Sequence, residues 1–172
     1  MKYLIWVVAI FILLVVQAGI LLPLHLQLAN LPLVILLIGL LFAEFEFAQI
    51  LALICAAGLD LASGTAGTAV LAMLILFYLM HFAVNNIVDR EPNQLILFAT
   101  VAGGTVIYFG LFWAVHFAFG RLGAQVPGLA GREFFLTDLP VAIVLNLVFT
   151  YPVFMFYNAV ESLSRKLSRH GS

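Results

Sequence analysis

The sequence predicts an all-α integral membrane protein, a bundle of six transmembrane helices forming one domain over residues 1–172. Three observations lead there. Hydrophobic residues make up 65% of the chain and charged residues only 9%, where a soluble domain carries about 25% charged residues. Mean hydropathy is +1.20. Apolar runs near the roughly 20 residues that cross a bilayer follow one another from end to end, leaving no room for an appended soluble domain of ordinary size.

The first element covers residues 3–22, after a short basic start at Lys2. A signal-peptide core is about 7 to 15 apolar residues and ends in an A-x-A-like site, whereas this run is longer and ends in "VVQAGILLP". A retained span is expected. The run from Leu31 to Gly58 is too long for one span and is interrupted by "AEFEF", where Glu44 and Glu46 mark a turn. Two short helices, 31–43 and 47–60, are therefore expected, tilted, interfacial or shielded by neighbours. A fourth covers 68–88 and stops at "DREPNQ", where charge and Pro92 break it. A fifth covers 95–119 and leads into the Gly-rich connection "GRLGAQVPGLAGREFFLTD". The sixth, 140–160, opens on Pro140, a natural first-turn residue, passes Pro152 and ends in "ESLSRKLSRHGS".

Six spans put both termini on one side. If that side is the cytoplasm, Lys2, Arg90, Arg165, Lys166 and Arg169 lie inside, with Arg121 and Arg132 outside, as the positive-inside rule prefers. The turn that follows Asp60 then faces outwards.

That turn, "GLDLASGTAGT" (58–68), places one carboxylate among small residues between two apolar stretches. A charged Asp at a bilayer centre costs on the order of 2.5 to 3.5 kcal/mol, so a place near the interface or inside the bundle is expected. Ser63, Gly64, Thr65, Gly67 and Thr68 form a tight turn, and Asp, Ser or Thr side chains there cap the N–H groups that open the next helix. A ligand or partner contact is the alternative use of Asp60. An Asn at this position would keep most of the capping capacity.

The stretch "AQILALICAAGLDLASGTAGTAVLAMLILFYL" (48–79) resembles the central signature of the MreD family of rod shape-determining proteins, carried here by Gly58, Asp60, Ser63, Gly64 and Gly67, with Ala66 where the family has a bulkier residue. Gln17 near the end of the first helix, Pro32 opening the second in "ANLPLVILLIGL", the six-span layout and the basic tail agree in order. The resemblance implies a non-enzymatic scaffold of the bacterial elongation machinery, in the inner membrane with both termini cytoplasmic. Its expected partners are a bitopic MreC-like protein, a RodA-like glycosyltransferase, a class B transpeptidase and MreB. It also implies a fold similar to the substrate-binding subunits of energy-coupling-factor vitamin transporters, which supplies the alternative function.

Other residues were weighed on their own chemistry. In the fifth helix Ala99, Gly103, Gly110 and Ala114 fall within about 60° of one another at about 100° per residue, a small-residue face bounded by Phe117. Such a face packs either inside its own bundle or against a partner's helix. Gln17, Asn146, Thr150 and Asn158 lie in or near spans, where hydrogen bonding between helices is the usual role. Arg165, Lys166 and Arg169 suit anionic lipid headgroups or an acidic partner. Phe134 and Phe135, beside Arg132 and Glu133, suit either the outer membrane surface or a partner's extracytoplasmic part.

Enzyme chemistry has little to stand on. Asp60, Asp89 and Asp138 are assigned to different loops, Ser63 is outside a G-x-S-x-G setting, Cys55 is alone, and His25, His81, His116 and His170 lack ligand spacing. A proton path would need His81, His116 and Asp60 to converge. No cofactor, metal or nucleic-acid partner is expected.

Overall fold

The structure, a computed structural model, describes residues 2–21, 23–24, 26, 28–64, 67–87, 93–121 and 134–169. Among the described residues it is all-helical. Helix α1 covers Lys2–Val16 and continues through a π-helical turn, Gln17–Leu21. Then come α2 (Leu31–Phe42), α3 (Phe45–Ser63), α4 (Thr68–Ile87), α5 (Gln94–Arg121) and, after a π-helical turn at Phe134–Asp138, α6 (Leu139–Arg169). Pro92, Asp89, Arg90, Arg132, Glu133, His25, His170, Thr65 and Ala66, all discussed above, lie outside the described residues.

Five of these helices are long and apolar enough to cross a membrane; α2, with 12 residues, is not. At 1.5 Å per residue it is about 18 Å long, against a hydrocarbon core of about 30 Å. Of the six expected spans, two of them expected to be short, five helices thus have spanning length and one stays short. The third helix, expected to be as short as the second, gains a turn's worth of residues across its two ends and reaches spanning length.

The short helix is the centre of the fold. Every residue from Leu31 to Leu40 is buried. "LPLVILLIGLL" is apolar all round, the pattern of a helix enclosed on every side. It packs against α3, α5, α6, α4 and α1. A Cβ on Gly104 of α5 would sit 2.5 Å from Leu37 Cδ2, and one on Gly39 would sit 2.5 Å from Leu51 Cδ2. These glycines set how closely α5 and α3 approach it.

Ring contacts fix the directions of the chain. Trp6 of α1 packs on Phe47 of α3 (5.4 Å) and on Tyr157 of α6 (5.1 Å), while Leu14, two turns on, meets Gly58. Helices α1 and α3 therefore run parallel, and α6 returns to the end where α1 begins. The start of α1 and the end of α6 share that end, called here the near end; α3 ends and α4 begins at the far end.

Helix α6 runs nine residues beyond the expected stop at 160. "ESLSRKLSR" contains no breaker, and Glu161 accepts from Arg165 Nε at 3.1 Å, the favoured Glu-before-cation order at i, i+4. With 31 residues, α6 is about 46 Å long and projects from the near end. Phe134 and Phe135 are not free to lie on a membrane surface: Phe134 is buried against Phe109 (5.4 Å) and Phe135 stacks edge-on to Trp113 (5.8 Å).

Candidate functional site

A buried helix start must satisfy its N–H groups locally, because nothing in a bilayer core will do so. The start of α2 does this completely. Asn30 is the N-cap and its Oδ1 accepts from Leu33 N at 3.0 Å. Leu31 N donates to Gln17 Oε1 at 3.0 Å. Pro32 has no N–H to satisfy, and Asn30's own N–H donates to Asn146 Oδ1 of α6 at 2.8 Å. Asn146 Nδ2 in turn donates to Thr105 Oγ1 of α5 at 3.0 Å, and Thr105 donates to Val101 O. Tyr108 is buried on the same side of α5. Three spanning helices are thus tied to one helix start.

This layer explains Pro32, which the sequence singled out by resemblance, and gives Gln17 the hydrogen bond between helices that its place near a span end predicts. It also includes Asn30 and Thr105, which the sequence reading passed over. The signal for them was available: polar side chains in spans face the protein, and Thr100, Thr105 and Tyr108 share one buried side of α5. Thr150 bonds within its own helix, to Asn146 O at 2.8 Å, and Asn158 is exposed on α6. Neither makes the interhelical bond expected of it.

The turn after Asp60 is built the same way. Asp60 sits in the last turn of α3; Gly64, with φ 64°, closes that helix and donates from its N–H to Asp60 O at 2.8 Å. The carboxylate reaches across the turn, Oδ2 accepting from Gly67 N at 2.7 Å and Oδ1 from Ala69 N at 3.3 Å. Gly67 has φ 88°. Both glycines thus hold left-handed backbone that side chains disfavour. Thr68 is buried and its hydroxyl has no partner, so the carboxylate is the cap and the threonine is not. Gly58 is where Leu14 of α1 crosses α3, its Cβ position 2.6 Å from Leu14 Cδ1. The Ser63 side chain lies outside the described residues.

Because both oxygens accept, an amide at this position keeps one bond and turns an NH2 towards an N–H. That revises the expectation that Asn would cap nearly as well. Asp60→Asn is expected to destabilise the protein by about 1 kcal/mol and Asp60→Leu by about 2–4 kcal/mol, the latter leaving two donors without an acceptor. Denaturation by dodecyl sulfate in mixed micelles measures both. An Asn variant as stable as wild type would refute the two-oxygen cap, and a Leu variant no worse than Asn would show that the turn needs no side-chain acceptor.

The small-residue face of α5 points away from the bundle. Ala99 and Ala114 are exposed, Gly103 and Gly110 are half-buried, and a Cβ on either glycine would meet nothing within 4 Å. Among the described residues nothing in the chain's own bundle packs on these two glycines. Val106 (43% exposed) lies among them, and Phe117 with Arg121 stacked over its ring at 5.0 Å bounds the face at the far end. The remaining candidates are scattered. His81 stacks on Phe45 (4.4 Å) towards the near end, whereas His116 lies beyond Phe112 towards the far end of α5. They do not converge with Asp60. Arg165 and Lys166 are exposed on the projecting part of α6; the Arg169 side chain lies outside the described residues.

Comparison with protein-family models, curated proteins and solved structures gives no match. The functional reading therefore rests on the residues and their geometry.

Proposed function

We propose that this protein is a non-enzymatic scaffold of the bacterial elongation machinery, MreD-like, that docks the single transmembrane helix of a MreC-like partner on the outward face of α5. The observation that supports it is the open position of Gly103 and Gly110. Each glycine inside a helix costs about 1 kcal/mol relative to Ala, and among the described residues no contact to the Cβ position offsets that cost. Helix association in lipid depends on close backbone approach at small residues, which a smooth face of Ala99, Gly103, Gly110 and Ala114 permits.

The polar side chains support the same reading by how they are used. Gln17, Pro32, Gly58, Asp60, Gly64 and Gly67 each serve a helix start, a crossing or a turn. That is what a shape-holding subunit requires of them, and it leaves no backbone N–H at the start of α2 free for an anion. In this proposal the near end is cytoplasmic, following the Lys and Arg balance, and the assembly includes RodA-like, class B transpeptidase and MreB components.

Purification of the tagged protein from its native membrane in mild detergent, with mass spectrometry of what is retained, tests it. A single-span MreC-like protein with cell-wall synthases is the expected result. Two ATPases with a membrane coupling subunit, or a bound vitamin, would overturn it in favour of a transporter subunit.

A further inference from the structure

Two cavities follow one another along a single face of α6 at the near end. The first, about 210 Å³, lies where the end of α2, the start of α5 and the middle of α6 meet. Phe42, Leu97 and Phe154 make its apolar floor, and Asn93, Gln94 and Tyr151 stand around it. The second, about 390 Å³, lies further along α6 and is lined by Asn158, Glu161, Ser162, Arg165 and Lys166. Tyr151, Phe154, Asn158, Ser162 and Arg165 recur at helical spacing and share one side of the helix.

The chemistry changes along that side as it does through one leaflet. Phe154 and Ser162 are eight residues apart, about 12 Å along the axis, while the headgroup layer on each side of a bilayer is roughly 5–8 Å deep. An amphiphile with its head at Ser162 therefore has hydrocarbon at Phe154. Between them, Asn93 Oδ1 is committed to Ile96 N at 2.9 Å, so the group it offers the cavity is its amide N–H, a partner for an ester carbonyl.

The polar cavity selects among headgroups. Among the described residues its lining carries one carboxylate against two cations, a positive balance that matches a headgroup of net charge −1 better than a zwitterion. Arg165 engages Glu161 through Nε, leaving its terminal nitrogens for a phosphate, and the other carboxylate oxygen, Oε2, is buried without a partner.

We propose that this face of α6 binds one anionic glycerophospholipid, its phosphate at Arg165 and Lys166 and an acyl chain between Phe42 and Phe154. The site is separate from the small-residue face of α5, and it stands whether or not that face docks a partner.

Native mass spectrometry of the detergent-purified protein, titrated with dioleoyl phosphatidylglycerol or dioleoyl phosphatidylethanolamine, reads the preference directly. One phosphatidylglycerol is expected to be retained with about tenfold preference; the double variant Arg165→Gln with Lys166→Gln should lose the preference while holding phosphatidylethanolamine as before. Soluble glycerol phosphate should not displace the lipid. On the wild-type protein, phosphatidylglycerol carrying an acyl-chain diazirine should label peptides holding Asn93–Phe98 and Thr150–Phe154. Equal retention of the two lipids, a preference that survives in the double variant, displacement by glycerol phosphate, or labelling spread over α1 and α3 would each overturn the proposal.

Discussion

Replacing Asn146 with Leu is expected to lower stability by about 2–3 kcal/mol, although Leu is the more usual residue of a membrane span. The estimate has two parts. The N–H of Asn30 loses its acceptor at a fully buried helix start, which costs about 1–3 kcal/mol. The bond from Asn146 Nδ2 to Thr105 is also lost, and interhelical side-chain bonds of this kind average about 0.6 kcal/mol. The first part dominates, because water cannot reach the orphaned donor. Thr105→Val keeps the acceptor of Asn30 N, removes the bond from Asn146 Nδ2 together with Thr105's own bond to Val101 O, and should cost about 1 kcal/mol. Gln17→Leu orphans the N–H of buried Leu31, but the side chain it replaces is only half-buried, and the variant should fall between the two. Dodecyl sulfate denaturation of the three variants gives the order. If Thr105→Val proved as damaging as Asn146→Leu, the buried donor would not be the controlling term and the account of α2 as the fastened centre of the fold would fail.

How much of this was legible beforehand follows from what lipid does to sequence signals. The positions of the helices were readable, because charges, glycines and prolines punctuate apolar runs: "AEFEF" separates α2 from α3, and Gly64 ends α3. Their rotation was not. In a soluble protein an apolar residue points inwards, but a span is apolar on both its lipid and its protein sides, so hydrophobicity alone cannot orient it. Gly103 and Gly104 illustrate the loss: neighbours in sequence, one opens onto nothing within 4 Å and the other is pressed by Leu37. Size alone picks out both. What orients α5 is polarity, since Thr100, Thr105 and Tyr108 must be inside, and that puts Gly104 inside and Gly103 out. The central place of α2 was hidden for a related reason, because an apolar twelve-residue run reads the same whether it skims an interface or fills a bundle. The tail of α6 was readable in principle through the i, i+4 pair of Glu161 and Arg165, but its polar composition resembles a loop.

The same rotation decides the largest functional effect. The double variant Gly103→Leu with Gly110→Leu is expected to insert and fold with stability within about 1 kcal/mol of wild type, since both side chains enter open space and Leu is a better helix former than Gly. Co-purification of the MreC-like partner should nevertheless fall below detection. Two isobutyl groups seven residues apart stand two turns apart on the same face, and helices that pack through small residues cannot approach over them. Gly104→Leu is the contrasting case. Its side chain would collide with Leu37, which is fully buried in α2, and overpacking of this kind costs typically 1–3 kcal/mol. That variant should lose stability first and partner binding only as a result. A Gly103/Gly110 variant that still captures the partner at wild-type yield would remove α5 as the docking face. One that captures less but is also unstable would mean that the outward face is held by contacts within the chain. Stability and capture thus have to separate at Gly103 and Gly110 and move together at Gly104, a pattern that neither a purely structural role for α5 nor a nonspecific loss of fold produces.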